Sequence, residues 1–354
     1  MGERDGARLD GELVRRGLAR SRRHAAELVA AGRVTRAGTV LTKPSTGVGP
    51  EDVVEVAPDP HDPGYASRAA FKLAGVLDAL DAVAGESSAE SGALPRGPVV
   101  DGARCLDLGA STGGFTDVLL RRGAREVVAV DVGHDQLVPA LRADPRVVVH
   151  EGLNVRDLSP AHVGVVPDVV VGDLSFISLA MVLPAVAGVV GPGTDLLLLV
   201  KPQFEVGRER LGSGGVVRDP ALHVEVVAAV ARHAALVGLR PLAVVPSPLP
   251  GPSGNREYFW WLRAGDPGRP DGAAFEGAAA QAVAWQPGPG GGPPPVVAVA
   301  RAAAASAELS VEPPAEPPAE ASARPPAGAV PPPAPHAAPG ATETTDRPLT
   351  GGAA

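Results

Sequence analysis

Residues 104–117 read Arg-Cys-Leu-Asp-Leu-Gly-Ala-Ser-Thr-Gly-Gly-Phe-Thr-Asp, and this stretch decides the fold class of the chain. A short apolar run around Asp107 breaks into glycines and small hydroxyl residues, and apolar periodicity resumes at 118–120. The pattern predicts a buried strand, a tight turn and the start of a helix. Such a turn lets a ligand approach the backbone closely, because glycine has no Cβ, and the helix N-terminus adds unpaired N–H donors.

A second apolar strand, 127–130, leads into Asp131, whose carboxylate can accept both hydroxyls of a ribose. The spacing of Gly109, Gly113 and Gly114 matches neither the dinucleotide fingerprint nor a P-loop, and the turn offers no cation for a pyrophosphate. S-adenosylmethionine, a nucleoside with a cationic appendage, therefore fits better than a dinucleotide. The alternative is an ordinary α/β turn without a ligand. The residues predicted to contact the cofactor are Asp107, Gly109, Ala110, Ser111, Thr112, Gly113, Gly114, Phe115, Asp131 and Val132.

Apolar strands alternate with helices from Val99 to about Leu262, which predicts an α/β fold with a mostly parallel sheet covered on both faces. The connector between the last two strands is rich in Pro and Gly and too short for a crossover helix, so these strands should form an antiparallel hairpin at one edge. The candidate strands are 104–108, 127–131, 147–150, 168–172, 195–200, 242–246 and 257–262, and the clearest helices are 116–123, 177–190 and 219–237.

The rest of the chain divides by composition. Residues 6–57 read as a small α/β module, and a proline-rich linker, 58–66, precedes a helix predicted over 65–80 that contains Lys72. A polar loop is expected at 85–98. From 264 to 354 the chain is dominated by Ala, Pro, Gly and Glu, and we expect this tail to be disordered because it has little apolar surface to bury.

Charge and cysteine content narrow the function classes. The net charge is −8, yet residues 8–43 hold nine Arg or Lys against three Asp or Glu, so a polyanion partner is expected at this head. The single cysteine, Cys105, excludes a disulfide within the chain and suits a reducing cytosol. Neither a signal peptide nor an apolar stretch of membrane-spanning length is visible, so we expect a cytoplasmic protein with no membrane partner.

The basic head carries an ordered motif: Arg-Leu-Asp at 8–10, Arg-Gly-Leu-Ala-Arg-Ser-Arg at 16–22 and Gly-Arg-Val at 32–34. It resembles an S4 RNA-binding domain. Arginines near a helix start can grip phosphate together with the N–H donors of that helix, although a solvated basic helix face is the alternative. The head has no aromatic residue for base stacking, so it should read folded RNA by shape and backbone. The predicted RNA-binding residues are Arg8, Arg16, Arg20, Arg22, Arg23 and Arg33.

Three further segments stand at predicted strand ends: Gly-Asp-Leu-Ser-Phe-Ile-Ser at 172–178, Lys-Pro-Gln-Phe-Glu at 201–205 and Ser-Gly-Asn-Arg-Glu-Tyr at 253–258. With Ser-Arg-Ala-Ala-Phe-Lys-Leu at 67–73 and the 106–117 motif, they make residues 6–263 similar to the TlyA family, an S4 domain fused to an FtsJ-like Rossmann methyltransferase. The resemblance implies a methyltransferase domain over 67–263. The linker lacks the Arg and Trp that often precede the Ser-Arg pair in the family.

The resemblance implies S-adenosylmethionine-dependent 2′-O-methylation of cytidine in ribosomal RNA. Its catalytic tetrad falls on Lys72, Asp173, Lys201 and Glu257, with ribosomal RNA or a ribosomal subunit as partner. A neutral lysine can accept the ribose hydroxyl proton. We assign Lys201 as the base, Asp173 as its orienting group, and Lys72 and Glu257 as substrate-positioning groups. By the family's layout Asn154 borders the adenine, although it could equally cap a turn.

Two other functions remain open at this point. The family includes proteins named hemolysin, so a membrane-lytic protein is one alternative, and a non-catalytic RNA-binding factor in ribosome assembly is the other. The eight histidines show no metal-ligand spacing, so no metal is expected, and we expect a monomer.

Overall fold

The computed structural model describes residues 6–58, 63–86, 94–212, 214–251, 253–265, 271–287 and 292–299. The N-terminal head holds two helices beside short antiparallel strands, and its own core is formed by residues such as Leu9, Leu13, Ala25, Leu28 and Val34. Its elements are β1 (Ala7–Arg8), α1 (Leu9–Arg15), α2 (Arg22–Ala30), β2 (Val34–Arg36), β3 (Thr39–Val40), β4 (Gly47–Val48) and β5 (Val54–Val56).

The larger domain is built on one eight-stranded sheet with the spatial order β13-β11-β12-β10-β9-β6-β7-β8. Strands β10, β9, β6, β7 and β8 run parallel, whereas β12 and β13 pair with their neighbours antiparallel. The strands are β6 (Arg104–Leu108), β7 (Glu126–Val130), β8 (Val147–His150), β9 (Val169–Gly172), β10 (Asp195–Val200), β11 (Leu239–Pro246), β12 (Tyr258–Ala264) and β13 (Val297–Ala298).

Helices cover both faces of this sheet because its strands are apolar on both sides. In β10, Leu196, Leu198 and Val200 face one helical layer, while Leu197 and Leu199 face the other, as the two-residue period of a strand requires. The first layer contains α7 (Leu179–Ala187), α9 (Pro220–Leu236) and α10 (Gly272–Ala284), and the second contains α3 (Ala70–Glu86) and α4 (Gly114–Arg121). Short helices follow several strands: α5 (Pro139–Arg142), α6 (Pro160–Val163) and α8 (Pro202–Glu205).

The predicted fold class is confirmed, and three strands keep their predicted bounds. Helix α3 begins at Ala70 rather than at Tyr65. The preceding residues form turns instead, because Asp117 Oδ2 accepts the N–H of Ala66 at 2.8 Å and holds this segment against α4. Burial raises the pKa of the Cys105 thiol to about 12, so this side chain is a core residue.

The prediction of disorder from residue 264 is wrong for the first part of the tail. Helix α10 packs on α9 through small side chains that allow close approach. The rings of Phe275 and Trp260 pack edge-to-face, with their centres 6.3 Å apart. Asp271 caps the helix by accepting the N–H groups of Ala273 and Ala274. Strand β13 then pairs with β11. The error has a physical cause, since an alanine-rich helix can bury nearly all of its inward face without large side chains.

Parts of two other predictions lie outside the described residues. Of the predicted linker, 59–62 are not described, and of the predicted loop, 87–93 are not described. Of the predicted disordered tail, 266–270, 288–291 and 300–354 are also outside the described part of the chain.

Truncation of Phe275 tests whether the C-terminal segment is packed. Phe275→Ala should lower the free energy of unfolding by about 3–5 kcal/mol, because it leaves a cavity against Trp260. Urea denaturation measures the change. Leu236→Ala is the control, since Leu236 is 77% exposed and its loss should change stability by about 0.5 kcal/mol at most. Equal stability of Phe275→Ala and the wild type would contradict the packing of α10.

Candidate active site

An open cleft lies at the carboxyl ends of the parallel strands, where ligands bind in open α/β sheets. Its volume is about 1480 Å³, which exceeds the roughly 300–1,000 Å³ of a site for one small ligand. The cleft therefore has room for a cofactor together with part of a second molecule. The glycine turn after β6, the end of β7 and all four members of the predicted tetrad line it.

The turn between β6 and α4 forms one wall of the cleft. Gly109 has a φ of +80°, and a Cβ there would lie 3.0 Å from the carbonyl oxygen of Asp173. Ser111 also adopts a left-handed φ of +47°, which is uncommon for a residue with a side chain. Ala110, Ser111, Thr112 and Gly114, which are predicted to contact a cofactor, line the cleft. Strain of this kind concentrates at ligand sites.

Asp131 stands at the end of β7, where its half-buried carboxylate is fixed by the backbone. Oδ2 accepts the N–H of Ser111 at 2.8 Å, and Oδ1 accepts the N–H of Gly133 at 2.7 Å. Each oxygen retains acceptor capacity, so the carboxylate can still receive ribose hydroxyls. Val132 beside it is 67% exposed and lines the cleft, giving an apolar surface for a flat ring.

Asp107 lies behind the turn and does not line the cleft. Its side chain is fully buried, and Oδ2 accepts the hydroxyl of Thr116 at 2.6 Å, while Oδ1 has no hydrogen-bond partner among the residues that the structure describes. Burial raises the pKa of this carboxyl to about 7, and the Thr116 hydrogen bond opposes that rise only partly. Asp107 therefore supports the turn from below, and ionisation of its buried carboxyl would destabilise the fold.

Three other predicted cofactor residues have structural roles that the sequence did not distinguish. A Cβ on Gly113 would collide with Leu141, so this glycine is required by packing and by its φ of +94°. Phe115 borders the cleft but is 3% exposed and stacks on Phe259 at 6.0 Å. Asn154 caps a turn by accepting the N–H of Arg156 at 3.0 Å, and it also lines the cleft.

The first pair of charges in the cleft joins α3 to β12. Lys72 Nζ donates to Glu257 Oε2 at 2.5 Å, and both residues are buried. Glu257 Oε1 has no hydrogen-bond partner in the described residues. A buried carboxylate with one oxygen unsatisfied is costly, so it is suited to receive a donor from a bound molecule.

The second pair joins the residues that follow β9 and β10. Lys201 Nζ lies 2.7 Å from Asp173 Oδ1, close enough for an ion pair but without hydrogen-bond angles. The ammonium donates instead to Ser175 Oγ at 2.7 Å. A hydroxyl oxygen can therefore reach Lys201 within the cleft.

Several cleft residues were not predicted. Phe176 is 91% exposed with a φ of +64°, and its ring lies 5.1 Å from that of Phe204 at the cleft mouth. Arg68 and Arg208 line the same cleft, and within the described residues neither makes an ion pair or a hydrogen bond through its side chain. Phe176 and Arg68 lie within quoted motifs, and Arg208 lies three residues after the one at 201–205, so proximity to the motifs was the available signal.

The predicted RNA-binding arginines differ in the number of contacts that their side chains make within the head. Arg16 is held by Glu12 at 2.6 Å and by the carbonyl oxygens of Asp52 and Gly49, so it stabilises the head itself. These contacts occupy its guanidinium, and Arg16 is not available to a phosphate in this arrangement. Arg8 pairs with Asp10 at 2.8 Å.

The other four arginines lie on or near α2 and the strands. Arg22 is exposed at the start of α2, and Arg23 is exposed while paired with Glu27. Arg20 donates to the carbonyl oxygen of Tyr65, and Arg33 to that of Ala57. Of these four, Arg22 and Arg23 on α2 are exposed, whereas Arg20 and Arg33 are half-buried.

Comparisons with known proteins agree with this architecture. A model of the FtsJ-like methyltransferase family matches residues 65–264, and an S4 domain model matches residues 7–54. The 16S/23S rRNA (cytidine-2′-O)-methyltransferase TlyA of Mycobacterium tuberculosis is 53% identical over 257 residues, which cover 73% of this chain and 90% of that protein. The chain belongs to the TlyA family of FtsJ-like methyltransferases. The resemblance seen in the motifs is thereby confirmed.

Other relatives of the TlyA family carry a different description. Hemolysin A of Brachyspira hyodysenteriae is 34% identical over 253 residues, covering 71% of this chain and 98% of that protein. The solved structure of a putative hemolysin from Streptococcus thermophilus is 34% identical, covers 78% of this chain and 94% of that one, and superposes with a TM-score of 0.58. In the described residues, no helix has the length and apolarity needed to cross a membrane.

The metal and oligomer expectations stay predictions. Within the described ranges, no group of three or more His, Cys, Asp or Glu residues is arranged to hold a metal ion.

The raised pKa of Asp107 predicts how stability depends on pH. The unfolded chain ionises near the ordinary value of 3.8, whereas the folded chain keeps the proton up to about pH 7. The free energy of unfolding should therefore fall between these pH values and level off above them. A pKa difference of this size corresponds to about 4 kcal/mol at most.

Asp107→Asn should remove this decline, because an amide does not titrate. Urea unfolding of both proteins without added cofactor, from pH 4 to pH 8, measures it. The stability of the variant relative to the wild type should increase with pH across this window. Parallel curves for the two proteins would show that Asp107 ionises normally in the folded state.

Proposed function

We propose that this chain transfers a methyl group from S-adenosylmethionine to the ribose 2′-hydroxyl of a cytidine in ribosomal RNA. The observation that carries the proposal is the pairing of two lysines with two carboxylates in a cleft that also contains the glycine turn and Asp131. The substrate named for the Mycobacterium tuberculosis relative supports ribosomal RNA. The exposed arginines of the S4-like head supply a surface for its phosphates.

The residues around the turn fit S-adenosylmethionine. Gly109 and Ser111 leave the backbone open to a ligand, Asp131 offers acceptors for two ribose hydroxyls, and Val132 offers an apolar face beside it. The turn contains no Lys or Arg that could bind a pyrophosphate, which favours a cofactor without phosphate. When bound, S-adenosylmethionine supplies an electrophilic methyl group on a positively charged sulfur.

Lys201 is the proton acceptor in this proposal. The ribose hydroxyl must lose its proton as the oxygen attacks the methyl group, and a neutral amine within hydrogen-bond reach can take it. Asp173 Oδ1 lies 2.7 Å from Lys201 Nζ, so its role is to orient Lys201.

The choice of lysine over arginine supports this role. The chain contains only three lysines, Lys43, Lys72 and Lys201, and two of them are buried in the cleft. Arginine cannot lose its proton in a protein, whereas a buried lysine can. A chain that uses arginine nearly everywhere else therefore has, at position 201, a residue that can act as a base.

The remaining cleft residues position the RNA. Lys72 and Glu257 hold each other, and the free oxygen of Glu257 can accept a ribose hydroxyl. Phe176 presents an exposed ring that can stack on a base taken out of the helix. Arg68 and Arg208 provide guanidinium groups for the neighbouring phosphates. The domain boundaries 6–57 and 67–263 then separate substrate docking from chemistry, and a cytoplasmic location brings the chain to its substrate.

The direct test uses S-adenosylmethionine with a labelled methyl group and purified ribosomal subunits, small and large in separate reactions. Label should enter ribosomal RNA, and mapping should find it on the 2′-oxygen of a cytidine. Label on a base, or none on either subunit or on free ribosomal RNA, would overturn the proposal. Dye release from liposomes by the same preparation measures the lytic alternative.

Substitution by arginine separates the two lysines. Lys201→Arg keeps the positive charge beside Asp173 but cannot accept a proton, so kcat should fall by about 10²–10⁴-fold. Lys72→Arg should lose much less, because a group that only positions substrate needs the charge and not its removal. Calorimetry should show the same affinity for S-adenosylmethionine in both variants.

Lys43→Met is the control on the exposed lysine and should leave kcat at saturating RNA unchanged. Full activity of Lys201→Arg would exclude Lys201 as the base. A larger loss in Lys72→Arg than in Lys201→Arg would reverse the two assignments.

A further inference from the structure

Three consecutive side chains before β12 connect three different parts of the molecule. Asn255 accepts the N–H of Val217 at 3.0 Å and donates to the carbonyl oxygen of Gly215, so it holds the loop before α9. Glu257 pairs with Lys72 on α3. Between them, Arg256 reaches in another direction, toward the end of α10. The tripeptide is therefore a junction at the edge of the cleft.

Arg256 is bound to the carboxyl end of α10. Its Nη1 donates to the carbonyl oxygen of Val283 at 2.7 Å, and its Nη2 donates to that of Trp285 at 2.5 Å. The last carbonyl groups of a helix have no partner within the helix, and their partial negative charge favours a cation. The guanidinium fork satisfies two of these oxygens at once. The guanidinium also lies 5.8 Å from the ring centre of Tyr258.

The segment that Arg256 contacts is itself firmly attached to the sheet. Ala278, Ala279 and Ala282 are fully buried, and Phe275 is 4% exposed. Arg232 on α9 pairs with Glu276 on α10 at 3.1 Å on the outer surface. The end of α10 is therefore held firmly against the sheet.

The residues that form α10 lie beyond the family match. The FtsJ-like model ends at residue 264, and α10 and β13 follow it. The tetrad carboxylate, by contrast, lies inside the match. Arg256 is thus the link between a segment outside the family model and a residue of the proposed catalytic site.

We infer that residues 271–287, together with 292–299, form a brace that positions Glu257, and that Arg256 is the positioning residue through which the brace acts. The turn before Glu257 is closely packed against its side chain, since Gly254 has a φ of +88° and a Cβ on Gly251 would lie 2.5 Å from Glu257 Oε1. A shift of this turn would separate Glu257 from Lys72. The expected loss of catalysis rests on the proposed function. The expected change at the Lys72–Glu257 pair does not depend on it.

The first test measures that pair without using activity. Because the chain has three lysines, protein labelled with [¹³Cε]lysine gives three lysine signals, and Lys72→Arg identifies the one from Lys72. In Arg256→Gln, the Lys72 signal should shift, while the signals of Lys43 and Lys201 stay in place. An unmoved Lys72 signal in a folded Arg256→Gln protein overturns the inference, whatever the enzyme assay shows.

The second test measures catalysis in the full chain. Arg256→Gln should lower kcat by about 10- to 100-fold, since misplacement of a reacting group by about 1 Å costs about 10²-fold. The affinity for S-adenosylmethionine should not change, because the turn and Asp131 are held by separate contacts. Arg256→Lys, which can still donate to one carbonyl oxygen, should recover part of kcat.

The matched control is Arg232→Gln, which breaks the other arginine contact to α10 on the outer surface. It should leave both kcat and the Lys72 signal as in the wild type. Equal kcat loss in Arg232→Gln and Arg256→Gln, or cofactor affinity that falls together with kcat, would mean that α10 only stabilises the fold. If Arg256→Gln does not fold, Asp271→Ala removes the N-terminal cap of α10 and weakens the brace at its far end, and the same signal shift is expected, smaller in size.

Discussion

The register of three neighbouring strands is the constraint on which the cleft depends. Asp173 directly follows β9, Lys201 directly follows β10, and Glu257 directly precedes β12. Because β12 runs antiparallel to β10 with Val200 opposite Tyr258, its first residue meets the last residue of β10. A slip of one residue would turn every side chain to the opposite face. Both faces carry apolar cores, so the burial that folds the sheet also sets the positions of the charges.

Keeping these charged side chains in the cleft lowers the stability of the fold. Taking ions out of water costs several kcal/mol each, and a buried pair often contributes less to folding than apolar residues of the same size. The cleft contains two such pairs, Lys72 with Glu257 and Lys201 with Asp173, so each cation is balanced where it stands. The arrangement keeps both lysines in place with little net charge. A bound molecule can then exchange partners with a pair instead of meeting a bare ion.

Periodicity and motif order predicted most of the large domain, because its strands are continuous apolar runs that end at polar residues; 195–200 is an example. They failed where a feature depends on long-range packing. The burial of α10 depends on a surface that α9 presents, and composition alone cannot show it. Arg16 reads as a phosphate ligand until Glu12 and two carbonyl oxygens are found around it. Ser175 was part of a quoted motif, but its contact with Lys201 depends on side-chain direction.

The short strand β13 has a consequence for the edge of the eight-stranded sheet. An eight-residue strand such as β11 at the edge of a sheet would offer a long row of unpaired backbone groups to a second molecule. With β13 paired to its middle, the outermost strands of the sheet are only two and four residues long. Parallel sheets depend on distant contacts and form slowly, so unfinished edges persist during synthesis. A late-made segment that pairs with the middle of this edge would therefore shorten the stretch of backbone open to a second chain.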